Sequence, residues 1–157
     1  MQVQTVEPDV TTGQLLAGAQ FSDAFSVVVD GTALDARLAA EKTLGHSPRW
    51  IERLLALRNR LVSPFGLKKP VAAETDAVDT IGIFPVMSET PARLVAGLND
   101  KHLDFRVVVD ITTSGHRQRV TATTLVLTHN LIGRIYLAII LPFHRLVVRA
   151  LLRQVAA

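Results

Sequence analysis

The feature that most limits what this chain can become is its last stretch, which reads as one long helix from about Leu131 to Gln154 with Asn130 as its N-cap. At 1.5 Å per residue such a helix is about 36 Å long. Placed at 100° intervals, Ile132, Tyr136, Ile139, Ile140, Phe143, Val147 and Leu151 fill one half of its surface. Arg134, Arg145, Arg149 and Arg153 cluster with Pro142 on the other. The proline is then on the wet side, where water can take the carbonyl that loses its donor. A helix with one apolar half needs a dry surface of comparable length to lie on.

The segments before it supply that surface. "NDKHLDFRVVVDITT", Asn99 to Thr113, alternates strictly: Leu103, Phe105, Val107, Val109 and Ile111 fall on one side of an extended chain. His102, Asp104, Arg106, Val108 and Asp110 fall on the other. "TSGHR" turns the chain around Gly115 into the long Thr/Val-rich strand "QRVTATTLVLTHN". "ARLVAGLND" is a shorter strand before it, and "VDTIGIFPVMSET" is another whose Pro85 predicts an edge or a bulge. "FSDAFSVVVD", Phe21 to Asp30, is the first strand.

Two helices follow that first strand. In "TALDARLAAEKTLG", Thr32 is placed as N-cap, Leu34, Leu38 and Leu44 with the alanines form the stripe, and Gly45 ends it. In "SPRWIERLLALRNRLVSPFG", Ser47 caps, Pro48 takes the first helical position, and Pro64 and Gly66 stop it. Trp50, Ile51, Leu54, Leu55, Leu57, Leu61 and Val62 make its apolar side, and "GLKKPVAAETDA" is a polar linker. The expected order is β-α-α-β-β-β-β-α. An antiparallel sheet with one dry face must be covered, so the fold class is α+β, a curved antiparallel sheet gripping the C-terminal helix. Residues 1–18 read as an extended lead-in, and 19–157 as a single domain.

Composition narrows function mainly by exclusion. There are no cysteines, which removes disulfides, thiol catalysis and cysteine-type zinc sites. Net charge is +3 without any Lys/Arg tract interleaved with aromatics, so nucleic acid is not an expected partner. The longest dense apolar run, Ile135 to Phe143, falls short of the roughly 20 residues of a membrane span. The N-terminus lacks a basic leader, and a cytoplasmic domain is expected. Hydrophobic residues make up 48% of the chain and mean hydropathy is +0.30. That surplus must line a large core, a ligand cavity or an oligomer interface such as a homodimer's. No cofactor is expected, since no glycine-rich dinucleotide fingerprint follows a strand.

This order of elements resembles the helix-grip fold of START-type lipid-transfer and birch-pollen-allergen-type proteins, the SRPBCC superfamily. A closer resemblance is to a bacterial family within it, domain of unknown function 2867. It spans roughly Asp23 to Arg153 and rests on "DAFSV", "NDKHLDFR", "TTLVLTHNLIGRIYLAII" and "PFHRLVVR". The superfamily resemblance implies an apolar cavity between sheet and helix for a hydrophobic ligand; fewer strands than the full pattern imply a small or closed one. The family resemblance implies a fold and no activity. Relatives fused behind short-chain, NAD(P)-dependent epimerase-like domains imply a third role, as an interaction domain for such a reductase.

The candidate sites follow. His102 and Asp104 are candidate acid/base groups if something covers their side of the strand; otherwise they and Arg106 form a solvated face with cross-strand pairs. His144 sits at the margin of the helix's apolar half, either as a core histidine bonded to a sheet group or, with Tyr136, as a polar handle in a cavity. Phe105, Val107, Val109, Tyr136, Ile140, Phe143 and His144 are the expected wall residues for a small apolar or amphipathic ligand. A cyclase- or hydrolase-like enzyme using these His and Asp groups is the alternative. Five scattered histidines (46, 102, 116, 129, 144) offer no metal-ligand spacing, so no metal is expected. The arginine row reads as a solvated face, because a helix lying on a membrane would need the apolar face that the sheet should consume.

Overall fold

The structure is a computed structural model that describes residues 2–8, 15–31, 33–45, 48–62, 80–81, 84–99 and 101–156. Strand β1 (Gln4–Val6) pairs antiparallel with β2 (Phe21–Asp30); helices α1 (Ala36–Leu44) and α2 (Arg49–Val62) follow. Then come β3 (Thr80–Ile81), β4 (Phe84–Glu89), β5 (Arg93–Asn99), β6 (Leu103–Ser114), β7 (Arg117–Thr128) and the 26-residue helix α3 (Leu131–Ala156). The seven strands form one sheet in the order β1-β2-β7-β6-β5-β4-β3, antiparallel at every pairing. The expected class therefore holds, with α3 packed on the sheet.

Two strands were not in the expected order. β1 lies within the lead-in; three residues are too few to carry a period. The Pro85 strand divides into β3 and β4, and a register shift between Val86 and Ser88 supplies the bulge.

Alternation sorts the sheet into two faces. On the concave face the registers align three rungs across β2, β7, β6 and β5: Phe21-Val126-Phe105-Leu98, Asp23-Thr124-Val107-Ala96, and Phe25-Ala122-Val109-Leu94. The last rung, with Val27, Val120 and Ile111, joins Ala36, Ala39 and Ala40 of α1 and Leu152 and Val155 of α3 in one core cluster. The three alanines are fully buried, so α1 is held close by its small side chains while Leu38 points out, 38% exposed. α1 lies over β5 and β6, and α3 over β2 and β7.

Helix starts differ from expectation by short shifts. Thr32 lies outside the described residues; α1 begins at Ala36, where Asp35 caps by accepting from the Leu38 N–H at 2.8 Å. Ser47, Pro64, Gly66 and the polar linker are also outside them. α2 begins one residue later than expected, with the Pro48 carbonyl accepting from Ile51 and Glu52. Asn130 caps α3 as expected, its Oδ1 accepting from the Gly133 N–H at 3.0 Å.

The main correction concerns how α3 is rolled on the sheet. Its buried arc runs through Gly133, Leu151, Leu152 and Val155, with Ile140, His144 and Val148 half-buried. Ile132, Ile139 and Phe143, expected to face the sheet, are 37%, 65% and 49% exposed. Relative to the expected arc the helix is rotated by roughly 80° at 100° per residue. The cause is at its two ends. Gly133 abuts the backbone of His102, whose carbonyl oxygen a Cβ at 133 would overlap. Near the other end, Arg149 reaches over the Phe25 ring and donates to Thr5 Oγ1 at 3.2 Å. The arginine row thus borders the buried arc instead of opposing it.

Candidate functional site

Across β2, β7, β6 and β5 the concave face carries one charged side chain, Asp23, at the β2 end of the rung Asp23-Thr124-Val107-Ala96. β2 alternates inward Phe21, Asp23, Phe25, Val27 and Val29, so its pleat delivers Asp23 to the interior side beside Thr124. α3 brings His144 down onto it: His144 Nε2 lies 3.2 Å from Asp23 Oδ1. The Phe21 ring meets the imidazole edge-on, with centroids 6.1 Å apart. The side chains of Asp23 and His144 are only 15% and 20% exposed. Asp23 Oδ2 is buried and has no hydrogen-bond partner among the described residues. A buried carboxylate oxygen with unused lone pairs is costly, of order 1–3 kcal/mol or more, and such an atom calls for an explanation.

Around this pair the floor is apolar and incompletely covered. Phe105, Val107 and Leu98 are half-buried, whereas Val109, one rung deeper, is sealed. Phe84 packs edge-on against Phe105 at 5.5 Å. Of the expected wall residues, Phe105, Val107 and Val109 lie on the concave face of β6, and Ile140 and His144 are half-buried on α3. Tyr136 is half-buried at the flank, where its hydroxyl accepts from Arg58 Nε at 2.8 Å. Phe143 points away from the sheet and is no wall residue. A shallow apolar depression of about 400 Å³ runs along the same helix, bounded by Gln20, Thr128, Arg134, Leu137, Ala138 and Leu141. A second, of about 290 Å³, lies on the opposite sheet face beside Ser26 and Arg117.

The His102-Asp104-Arg106 row is divided among separate tasks. His102 lies in the turn before β6, 6% exposed, and its Nδ1 accepts from Asn130 Nδ2 at 2.9 Å. The amide's orientation follows from the Gly133 N–H on its oxygen, which leaves the ring hydrogen of His102 on Nε2. His102 thus braces the start of α3, and its carbonyl accepts from the His129 N–H. Asp104 pairs with His129 Nε2 at 3.1 Å on the convex face. Arg106 donates to the Phe105 carbonyl, and Asp110 takes a two-pronged bond from its cross-strand neighbour Arg93, at 2.6 and 3.2 Å. The pairings on this face are the cross-strand kind. His116 is exposed in the β6–β7 turn, and His46 lies outside the described residues.

Sequence reasoning named His144 and missed Asp23. The signal was present: in "FSDAFSVVVD" an acidic residue occupies a position whose parity is otherwise Phe, Phe, Val, Val. Among the described residues, no group of three or more His, Asp or Glu is placed to hold a metal ion.

A family model described as a protein of unknown function, DUF2867, matches residues 15–151 and so takes in both Asp23 and His144. The chain belongs to this family. No curated protein matches this DUF2867 member. A solved structure described as a conserved protein from Geobacillus kaustophilus is similar to it at 10% identity, covering 87% of this chain and 93% of that one, with a TM-score of 0.41. A likeness that distant carries no argument about fold or function. What the DUF2867 domain can do is therefore read from its own residues.

Proposed function

We propose that the domain binds a small amphipathic molecule between the sheet and α3, with the apolar part on Phe105, Val107 and Leu98 and a hydroxyl or amino donor on Asp23. The observation that carries this reading is the buried, unpartnered Oδ2 of Asp23 beside His144. Binding pockets are commonly apolar with a few placed polar groups, and this carboxylate is the charged group of its rung. The order β2-β7-β6-β5-β4-β3, two helices inserted after the first of these strands, and a long last helix support placing the domain in the helix-grip superfamily.

A thermal-shift screen with medium-chain alcohols, amines and carboxylic acids tests the reading. Alcohols or amines are expected to raise the melting temperature and the acids to fail, because a carboxylate brings no donor to Oδ2. Asp23→Leu should abolish the shift. If no compound shifts the wild type, or if Asp23→Leu responds as the wild type does, the reading is wrong.

The same pair supports a second reading, acid–base catalysis by His144 held in orientation by Asp23. It requires that a small molecule retained by the purified protein be recovered chemically altered from the wild type and unaltered from His144→Ala. Identical recovery from both rules it out.

A further inference from the structure

The rotation of α3 leaves a second apolar face in the open. Ile132, Ile135, Ile139, Phe143 and Leu146 recur at intervals of three and four residues and are 37%, 51%, 65%, 49% and 61% exposed. At 100° per residue they occupy about 80° of arc, and at 1.5 Å per residue they run for about 21 Å. A contiguous outward row of this kind marks an interaction surface. On the neighbouring helix α2, Trp50 and Leu57, two turns apart, are also exposed. The Arg58–Tyr136 contact ties the two helices together at the edge of the row.

Charge identifies the occupant. α2 and α3 carry eight arginines and a single glutamate, a net +7, in a chain whose net charge is +3. The rest of the chain is therefore net −4. α3 itself has no acidic residue. Arg153 lies in line with one edge of the apolar row, Arg145 about 80° beyond that edge, and Arg134 further round beside the buried arc; all three are exposed, and among the described residues none has a carboxylate partner. A second copy docked through this row would bring two arginine flanks together with nothing acidic on either helix to meet them. An anionic lipid surface offers apolar depth for the row and negative headgroups for its border, as interfacial amphipathic helices require.

We propose that α3, with α2 beside it, seats the domain on an anionic membrane surface. Ile132, Ile135, Ile139, Phe143 and Leu146 enter the acyl boundary, and Arg145 and Arg153, on one side of the row, reach headgroup phosphates. The helix is long and apolar enough to cross a bilayer, with a mean hydropathy of 1.8 between Leu131 and Val155. Lying flat is the disposition that keeps His144 on Asp23 and Leu152 in the core, and it spares Arg145 a place near the bilayer centre.

The test is flotation of the full chain with vesicles of phosphatidylcholine alone or mixed with phosphatidylglycerol, read also by the emission of Trp50, the one tryptophan of the chain. Expected are partition onto the mixed vesicles with a blue shift, little onto phosphatidylcholine alone, and release by salt. Ile139→Glu with Phe143→Glu should weaken partition by about tenfold or more while leaving the melting temperature unchanged, since both side chains point away from the core. Arg145→Glu with Arg153→Glu should remove the preference for the anionic lipid. Four outcomes overturn the proposal: no partition by the folded chain, equal partition onto both vesicles, a dimer in light scattering that the Ile139→Glu/Phe143→Glu variant dissolves, or resistance to carbonate extraction from cell membranes. Loss of the Asp23-dependent thermal shift bears on the interior site and leaves this test unaffected.

Discussion

Leu152 and Ile139 sit on the same helix and have opposite fates, which makes their truncation a direct measure of how α3 is rolled. Leu152 is fully buried and faces Ala36, Ala39 and Ala40, which are themselves fully buried and have no side chain to swing into a void. Leu152→Ala should therefore lie in the middle of the range for such truncations, about 3–4 kcal/mol. For a domain of this size that corresponds to a melting temperature lower by roughly 10 °C. In urea, with a slope of about 2 kcal/mol per molar, the midpoint should fall by nearly 2 M at unchanged slope. Ile139 is 65% exposed, so Ile139→Ala gives up little buried area. Alanine's better helix propensity returns a few tenths of a kcal/mol, and the net change should stay within about 0.5 kcal/mol. The assay is equilibrium urea unfolding of both variants in lipid-free buffer. If Ile139→Ala costs as much as Leu152→Ala, the outward row is packed in solution and the roll described above is wrong.

Four further outcomes follow from individual contacts. Gly133→Ala, ordinarily favourable in a helix by about 1 kcal/mol, should instead destabilise by about 2 kcal/mol in thermal unfolding, because its Cβ meets the His102 backbone. Gln118→Leu should cost about 2–3 kcal/mol by the same measurement: its amide accepts from the Leu34 N–H at 3.1 Å and donates to the Leu34 carbonyl at 2.8 Å, leaving both bare when removed. Asn130→Ala should cost about 1–2 kcal/mol and speed amide hydrogen exchange at Gly133, since the cap and the His102 Nδ1 partner are lost together. Asp23→Leu combined with His144→Leu should be neutral or stabilising by about 1 kcal/mol in urea, because a half-satisfied buried polar pair is replaced by apolar packing.

How far these features could be read without coordinates depended on whether they were local. β6 and β7 declare themselves because twelve-residue strands with one dry face repeat the same parity many times. α3 declares itself by its length and by Asn130. β1 does not, since Gln4–Val6 forms only where β2 offers an edge. The start of α1 shifts from Thr32 to Asp35, both of them capping residues; Asp35 takes the role with the Ala36 N–H already committed to the Pro91 carbonyl. Such a long-range contact has no signature in the helix's own sequence. At the site, His144 was legible as a polar group on the border of an apolar arc. Its partner required counting parity along β2 and knowing that α3 lies over that strand. The His102-Asp104-Arg106 row shows the converse: adjacency in sequence suggested one site, and the start of α3 drew His102 away to brace Asn130.

The roll of α3 was the hardest feature to foresee because the helix has more apolar surface than one sheet can use. Arginine alone marked the wet side, and arginine is a poor marker when its stem can lie along apolar surface. Arg149 does this over the Phe25 ring. Once Arg149 borders the buried arc, the arc centred on His144, Val148 and Leu151 goes inward and the arc through Ile139 and Phe143 goes outward. Folding energetics account for the inner arc, whose residues close the core with α1. They do not account for the outer one: five large apolar side chains in register, exposed in the folded domain, contribute little to its stability and increase its tendency to associate. The fold does not require this face, and the exposed arginines to one side of it have no carboxylate partner among the described residues, which is the pattern that the proposed seating on an anionic surface accounts for.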